Sequence, residues 1–177
     1  FRALLETETA RRIIAFDAFG SFPREGVALE SDRAFIERFE GAGGEGLSVE
    51  EVRAILDAKP FGNVELVPGN VLETLPRRLE AEPALRIALL HLDMDVKEPT
   101  AAALELMWDR VVPGGVVMID DYGAVGGATE AVDAFLARAG VPVEATPLNH
   151  VPAFLRKPGG PGRPGADGAG RLSPPAP

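Results

Sequence analysis

The chain has 177 residues, 18 Lys+Arg against 27 Asp+Glu for a net charge of −9, and no Cys. Without Cys there are no disulfides, thiolate metal sites or Cys nucleophiles, and the acidic balance argues against non-specific nucleic-acid binding. Hydrophobic content of 46% with 25% charged residues is ordinary globular composition and enough for one core.

In chain order, residues 2–10 read as the end of a helix. RIIAF (12–16) is a short apolar β run ended by Asp17. SDRAFIERFE (31–40) has helical spacing, with Phe35, Ile36 and Phe39 on one side, and GAGGEG (41–46) breaks it. Ser48 and Glu51 have the spacing of a capping box, which starts a helix over about 49–58. VELV (64–67) is a strand. Pro68-Gly69 turns the chain into a helix near 71–80, interrupted by Pro76. RIALLHL (86–92) is a near-continuous apolar run that suits a strand buried on both faces. Pro99 marks the first turn of a helix that ends at Pro113-Gly114-Gly115. VVMI (116–119) is a second buried strand, and Ala128–Ala139 a helix closed by Gly140. VEA (143–145) and AFLRK (153–157) pair as antiparallel strands. Twelve of the twenty residues from Pro158 to Pro177 are Pro or Gly, so this tail is expected to be disordered and the folded domain to be 1–157. Strand–helix alternation predicts an α/β fold: an open, mainly parallel, Rossmann-like sheet with helices on both faces.

No apolar run reaches the ~18–20 residues of a membrane span, and no basic segment with an apolar stretch opens the chain as a secretion signal. No membrane partner is expected, and a cytoplasmic setting is the default. The first residue is Phe1 rather than Met, which leaves an upstream start open.

Open α/β sheets bind ligands at the carboxyl ends of their strands. Those ends carry Asp17, then Gly69-Asn70, then Asp93-Met94-Asp95, then Asp120-Asp121-Tyr122. If the strands ending at Leu92 and Ile119 are neighbours, their tips lie about 5 Å apart and Asp93, Asp120 and Asp121 converge. Carboxylates that close repel each other, and an oxygen-ligated divalent cation such as Mg²⁺ relieves the repulsion. The ordinary alternative for each Asp is a cap or a solvent-facing turn. Asp17 stands where nucleotide-binding α/β folds hold ribose hydroxyls. Asn70 suits an adenine edge, although a turn after Gly69 is the commoner use of such a residue. His91 reads as a core residue of its strand, His150 as a residue of the last hairpin, and Lys97 as a surface lysine near the acidic pair. Tyr122 either roofs the site or packs beside it, and Trp108 belongs to the core.

The segment LHLDMDVKEPTAAALELMWDRVVPGGVVMIDDYG followed by GATEAVDAF resembles the macrocin O-methyltransferase (TylF-like) family of class I, S-adenosylmethionine-dependent, metal-requiring enzymes. FDAFGSFP (16–23) and VELVPGNVLETLP (64–76) are similar to that family's second- and third-strand segments. The similarity spans nearly all of 1–157. It implies Asp93, Asp120 and Asp121 as ligands of Mg²⁺, Asp17 as the residue on the cofactor ribose, and Asn70 with Val71 as the adenine contact. Residues 20–50 are similar to the family's lid and substrate-binding insertion. In such enzymes a strand and a Gly-rich loop precede the helix with which this chain opens, so the resemblance is to an N-terminally incomplete form. Lys97 stands where relatives often carry an aromatic residue.

The expected reaction is methyl transfer from S-adenosylmethionine to a hydroxyl of a small molecule, a natural-product sugar among the candidates, with Asp95 or Asp93 removing the hydroxyl proton. A nucleotide-sugar glycosyltransferase is the alternative, since a D-x-D after an apolar strand also suits a metal and a diphosphate. That reading leaves Asp17 and Asp120-Asp121 without a task. A third reading is an inactive fragment with a structural or interaction role. The sequence leaves a homo-oligomer open.

Overall fold

The computed structural model describes residues 11–44, 46–59, 62–145 and 152–159. The order is β1 (Ile13–Asp17), α1 (Glu30–Gly41), α2 (Val49–Asp57), β2 (Val64–Pro68), α3 (Val71–Ala81), β3 (Ile87–Leu92), α4 (Lys97–Met107), a 3₁₀ turn (Trp108–Arg110), β4 (Val111–Ile119), α5 (Gly126–Ala139), β5 (Glu144–Ala145) and β6 (Ala153–Arg156). This is the expected α/β alternation. The helix read over 2–10, His150, and residues 160–177 of the expected tail lie outside the described residues.

β1 runs parallel to β2, with Ile13 opposite Val64 and Asp17 opposite Pro68. β3 runs parallel to β4, with Leu90 opposite Val117 and Leu92 opposite Ile119. β6 pairs antiparallel with β4, and β5 with β6, as the final pair of apolar runs predicts. Most of the pairing is thus parallel, with the antiparallel strands confined to the end of the described chain. Among the described residues no ladder joins β1 to β3.

That arrangement corrects two expectations. Among the described residues β3 has a partner on one side only, and Ala88, Leu89 and His91 are exposed, Leu89 by 43%. The run RIALLHL is therefore not buried on both faces, and His91 is not a core histidine. β4 also starts five residues earlier than its apolar run suggests. Pro113-Gly114-Gly115 forms a bulge inside the strand: Val111 opposes Ile87, and the next paired residue, Val116, opposes Leu89. A proline has no N–H to give to a ladder, and a bulge is where a strand tolerates one. Gly114 has φ +78°, and an added Cβ at Gly115 would lie 2.8 Å from the Val112 carbonyl oxygen, so both glycines are needed.

The helices start for readable reasons. Ser48 Oγ accepts from Glu51 N, and Ser48 N donates to Glu51 Oε2 at 2.9 Å, which completes the capping box of α2. Asn70 Oδ1 accepts from Leu72 N at 3.0 Å and caps α3. α3 continues through Pro76, which removes one intrahelical donor without ending the helix. Arg78 in α3 grips Glu65 of β2 at 2.5 and 2.8 Å and holds that carboxyl below the usual carboxylate range. α5 closes on Gly140 at φ +63°.

The main core lies where α3, α4 and α5 meet β4 and β6, around Leu75, Leu104, Val117, Ile119, Val132 and Leu155. Trp108 packs edge-on to Phe135 at 5.2 Å, and Lys157 Nζ sits 4.2 Å over the indole ring. Leu104 is 1% exposed. Leu104→Ala is expected to lower the unfolding free energy by about 2–5 kcal/mol, read as a shifted urea midpoint at unchanged slope.

Candidate active site

The register of β3 on β4 does most of the assembly. Leu92 opposite Ile119 places the two acidic loops side by side, and Asp120 N donates to Leu92 O at 2.9 Å. One carboxylate oxygen from each of Asp93, Asp120 and Asp121 then lies within 4.8 Å of the others. Asp93 is exposed, Asp120 half-buried and Asp121 buried. Asp121 also organises the neighbouring loop. Its Oδ2 accepts from Met94 N at 3.1 Å and from Asp95 N at 2.9 Å. Asp95 itself is in the left-handed region at φ +62°, a costly backbone for a non-glycine residue.

The electrostatics follow from this crowding. Desolvation, then the charges of Asp121 and Asp120, raise the Asp93 carboxyl above its ordinary value. Asp95 is affected more strongly: burial, then Asp121 and Asp93, push its carboxyl up to about 7. Three hard oxygen donors facing one another at this separation are a donor set that suits Mg²⁺, and bound positive charge would offset their repulsion.

A cavity of about 350 Å³ opens beside the cluster. Asp17, Asn70 and Val71 line it, as do Asp93 and Asp95, so the five residues read from separate strand ends share one wall. Asp93 belongs to both the cavity and the carboxylate cluster. Phe16, Phe22, Val27 and Met94 give the cavity apolar surface. Asp17 Oδ1 accepts from Phe19 N at 2.7 Å. Among the described residues its Oδ2 has no protein partner.

Other sequence readings fare differently. The Asn70 amide orders its surroundings: Oδ1 caps α3, and Nδ2 donates to Glu25 O at 3.4 Å. The neighbouring Val71 is the first residue of α3, where a backbone N–H has no intrahelical acceptor. Lys97 pairs with Glu130 and not with the acidic cluster. The Tyr122 hydroxyl donates to Asp133 Oδ1 at 2.8 Å, while its ring packs on the core.

A profile of the Macrocin-O-methyltransferase (TylF) family matches residues 1–157. The chain belongs to this family. It is 31% identical over 159 residues to the 8-demethyl-8-(2,3-dimethoxy-alpha-L-rhamnosyl)-tetracenomycin-C 4'-O-methyltransferase of Streptomyces olivaceus, covering 88% of this chain and 59% of that protein. Its fold is similar to that of the O-methyltransferase NovP, with a TM-score of 0.72 and 24% identity over 84% of this chain and 61% of NovP. CalS11, a calicheamicin methyltransferase, matches with a TM-score of 0.58 and 28% identity over 85% of this chain and 62% of CalS11. The chain thus spans 59–62% of the length of these relatives.

Two acidic residues of this TylF-family chain escape a reading of strand ends. Asp32 in α1 is 1% exposed, and its Oδ2 accepts from Lys97 N at 2.8 Å. Glu98 in α4 accepts from Ala28 N at 3.1 Å. The signal in the sequence is indirect: α1 and α4 begin after Leu29 and Val96, residue types that do not cap helices.

A carboxyl whose pKa rises on folding holds its proton more tightly in the folded state, so stability falls as pH climbs from its unfolded value toward its folded one. For Asp95 that window runs from 3.8 to about 7. Glu51, Glu65 and Glu82 are lowered by their partners and act with opposite sign, but near and below their ordinary 4.5. The metal-free protein is therefore expected to melt at progressively lower temperature between about pH 5 and about pH 7, and Asp95→Asn to flatten that slope.

Proposed function

We propose that this chain acts in the transfer of a methyl group from S-adenosylmethionine to a hydroxyl of a small-molecule acceptor, a sugar carried by a natural product, with Mg²⁺ at Asp93, Asp120 and Asp121. The observation that carries the reading is the shared wall: Asp93 belongs at once to the three-carboxylate cluster and to the cavity lined by Asp17 and Val71. Family membership supports the methyl donor. The rhamnosyl-tetracenomycin relative and CalS11 support a sugar acceptor on a natural-product scaffold.

S-Adenosylmethionine supplies an already activated methyl group, and Mg²⁺ supplies a Lewis acid that makes a nearby hydroxyl more acidic. The chain's own residues then have three tasks. Asp17, with Oδ1 fixed by Phe19 N, offers Oδ2 to the ribose hydroxyls. Val71 N–H at the start of α3 meets the adenine edge, while Asn70 holds that start in place. Asp95 takes the acceptor's proton at a carboxylate oxygen. Asp95 lines the cavity without belonging to the three-carboxylate cluster, and this favours it over Asp93 for the role. Phe22 and Val27 give the cleft apolar wall against which an acceptor can pack.

Calorimetric titration separates this reading from a nucleotide-sugar site. S-Adenosylhomocysteine is expected to bind and UDP-sugar not to bind, and Asp17→Ala to weaken the former about tenfold or more, the loss of a charged hydrogen bond. Heat from UDP-sugar without heat from S-adenosylhomocysteine overturns it. The metal role is tested with labelled donor and a sugar-bearing acceptor: EDTA and Asp120→Ala should each cut methyl transfer by about a hundredfold or more. Transfer that survives both removes the metal from the mechanism.

A further inference from the structure

Helices α1 and α4 both start without a capping side chain of their own, since Leu29 and Val96 occupy the cap positions. Unpaired N–H groups at a helix start need acceptors from elsewhere. Each of the two helix starts supplies a carboxylate to the main chain at the other. Asp32, in the first turn of α1, accepts from Lys97 N, the first residue of α4, at 2.8 Å. Glu98, the next residue of α4, accepts from Ala28 N, just ahead of α1, at 3.1 Å. Between these crossed bonds Val27, Ile36 and Val96 form a small buried apolar cluster of their own.

Asp32 reaches further. Its carboxylate lies against Gly127, the second residue of α5, where an added Cβ would overlap it. One buried carboxylate therefore sits at the starts of two helices, the place where negative charge is favoured. Both helices begin directly after an acidic loop: Asp93–Val96 leads into α4, and Asp120–Val125 leads into α5. On the other side, α1 follows the Phe22–Val27 stretch that walls the cavity.

We propose that Asp32 and Glu98 are positioning residues: their crossed bonds latch the 22–41 segment onto the two acidic loops and set how far the cleft is closed. What the cleft holds rests on the methyltransferase reading, but the latch does not. Its two ends differ. Asp32 is fully enclosed and serves as the fixed anchor. Glu98 keeps Oε2 buried, with no hydrogen-bond partner among the described residues. Opening at that end hydrates the stranded oxygen and offsets part of the lost bond, so Glu98 is the releasing arm.

Amide hydrogen exchange on the full chain tests this without any ligand. Asp32→Ala should speed exchange about tenfold or more in residues 27–36 and 94–100 together, while β4 and β6 stay within about twofold. Glu98→Ala should speed 27–36 and leave the later turns of α4 protected. Asp32→Asn, which keeps an acceptor oxygen, should restore most of the protection lost in Asp32→Ala. In the same variants S-adenosylhomocysteine should dissociate about fivefold faster or more at a similar association rate. Exchange that rises evenly across the whole chain in Asp32→Ala marks a general loss of stability and overturns the latch. If Asp32→Ala does not fold, Glu98→Ala decides, and unchanged exchange over 27–36 overturns it. Wild-type chain that fails to bind S-adenosylhomocysteine counts against the methyltransferase reading alone, since the exchange pattern still judges the latch.

Discussion

The parallel ladder of β3 on β4 places Leu92 opposite Ile119, and the acidic loops that follow those two residues have nowhere to go except toward each other. A slip of one residue in that pairing would turn the side chains at one tip to the opposite face and scatter the carboxylates. The register is held by apolar burial, with Leu92, Val117 and Ile119 each at 3% exposure or less. The electrostatic tension at the tips is thus imposed by the core beneath them. Asp121 shows how the fold bears it. The buried carboxylate takes two backbone N–H groups from the Met94-Asp95 turn, which steadies its charge and bends the facing loop into shape.

The same economy recurs at the cavity. Asn70 lines the cavity, and its amide also holds the start of α3 and ties Glu25 to it. The backbone it fixes is what the cavity presents. In both places a polar side chain orders main chain, and the ordered main chain forms the site.

Much of this was legible in the residues. Apolar runs ended by Asp gave the strand tips, Ser48 and Glu51 gave the start of α2, and Gly140 gave the end of α5. What was not legible depends on neighbours far along the chain. RIALLHL has the composition of a doubly covered strand, yet its exposure is decided by whether a second strand lies beside it, which the run itself does not encode. Pro113-Gly114-Gly115 reads as a break because the bulge that accommodates it needs Ala88 from the facing strand. Asp32 meets Lys97 across 65 positions, and at that separation a local pattern offers only the lack of a cap at each helix start.

The divided sheet carries a practical cost in handling. Along one side of β1 and one side of β3, among the described residues, backbone donors and acceptors stand unmated, and next to them Leu89 offers greasy surface to water. Such borders are templates on which any extended peptide can lay itself, another copy of this polypeptide included. Within the described residues Leu89 is the position where a lysine would blunt such a border.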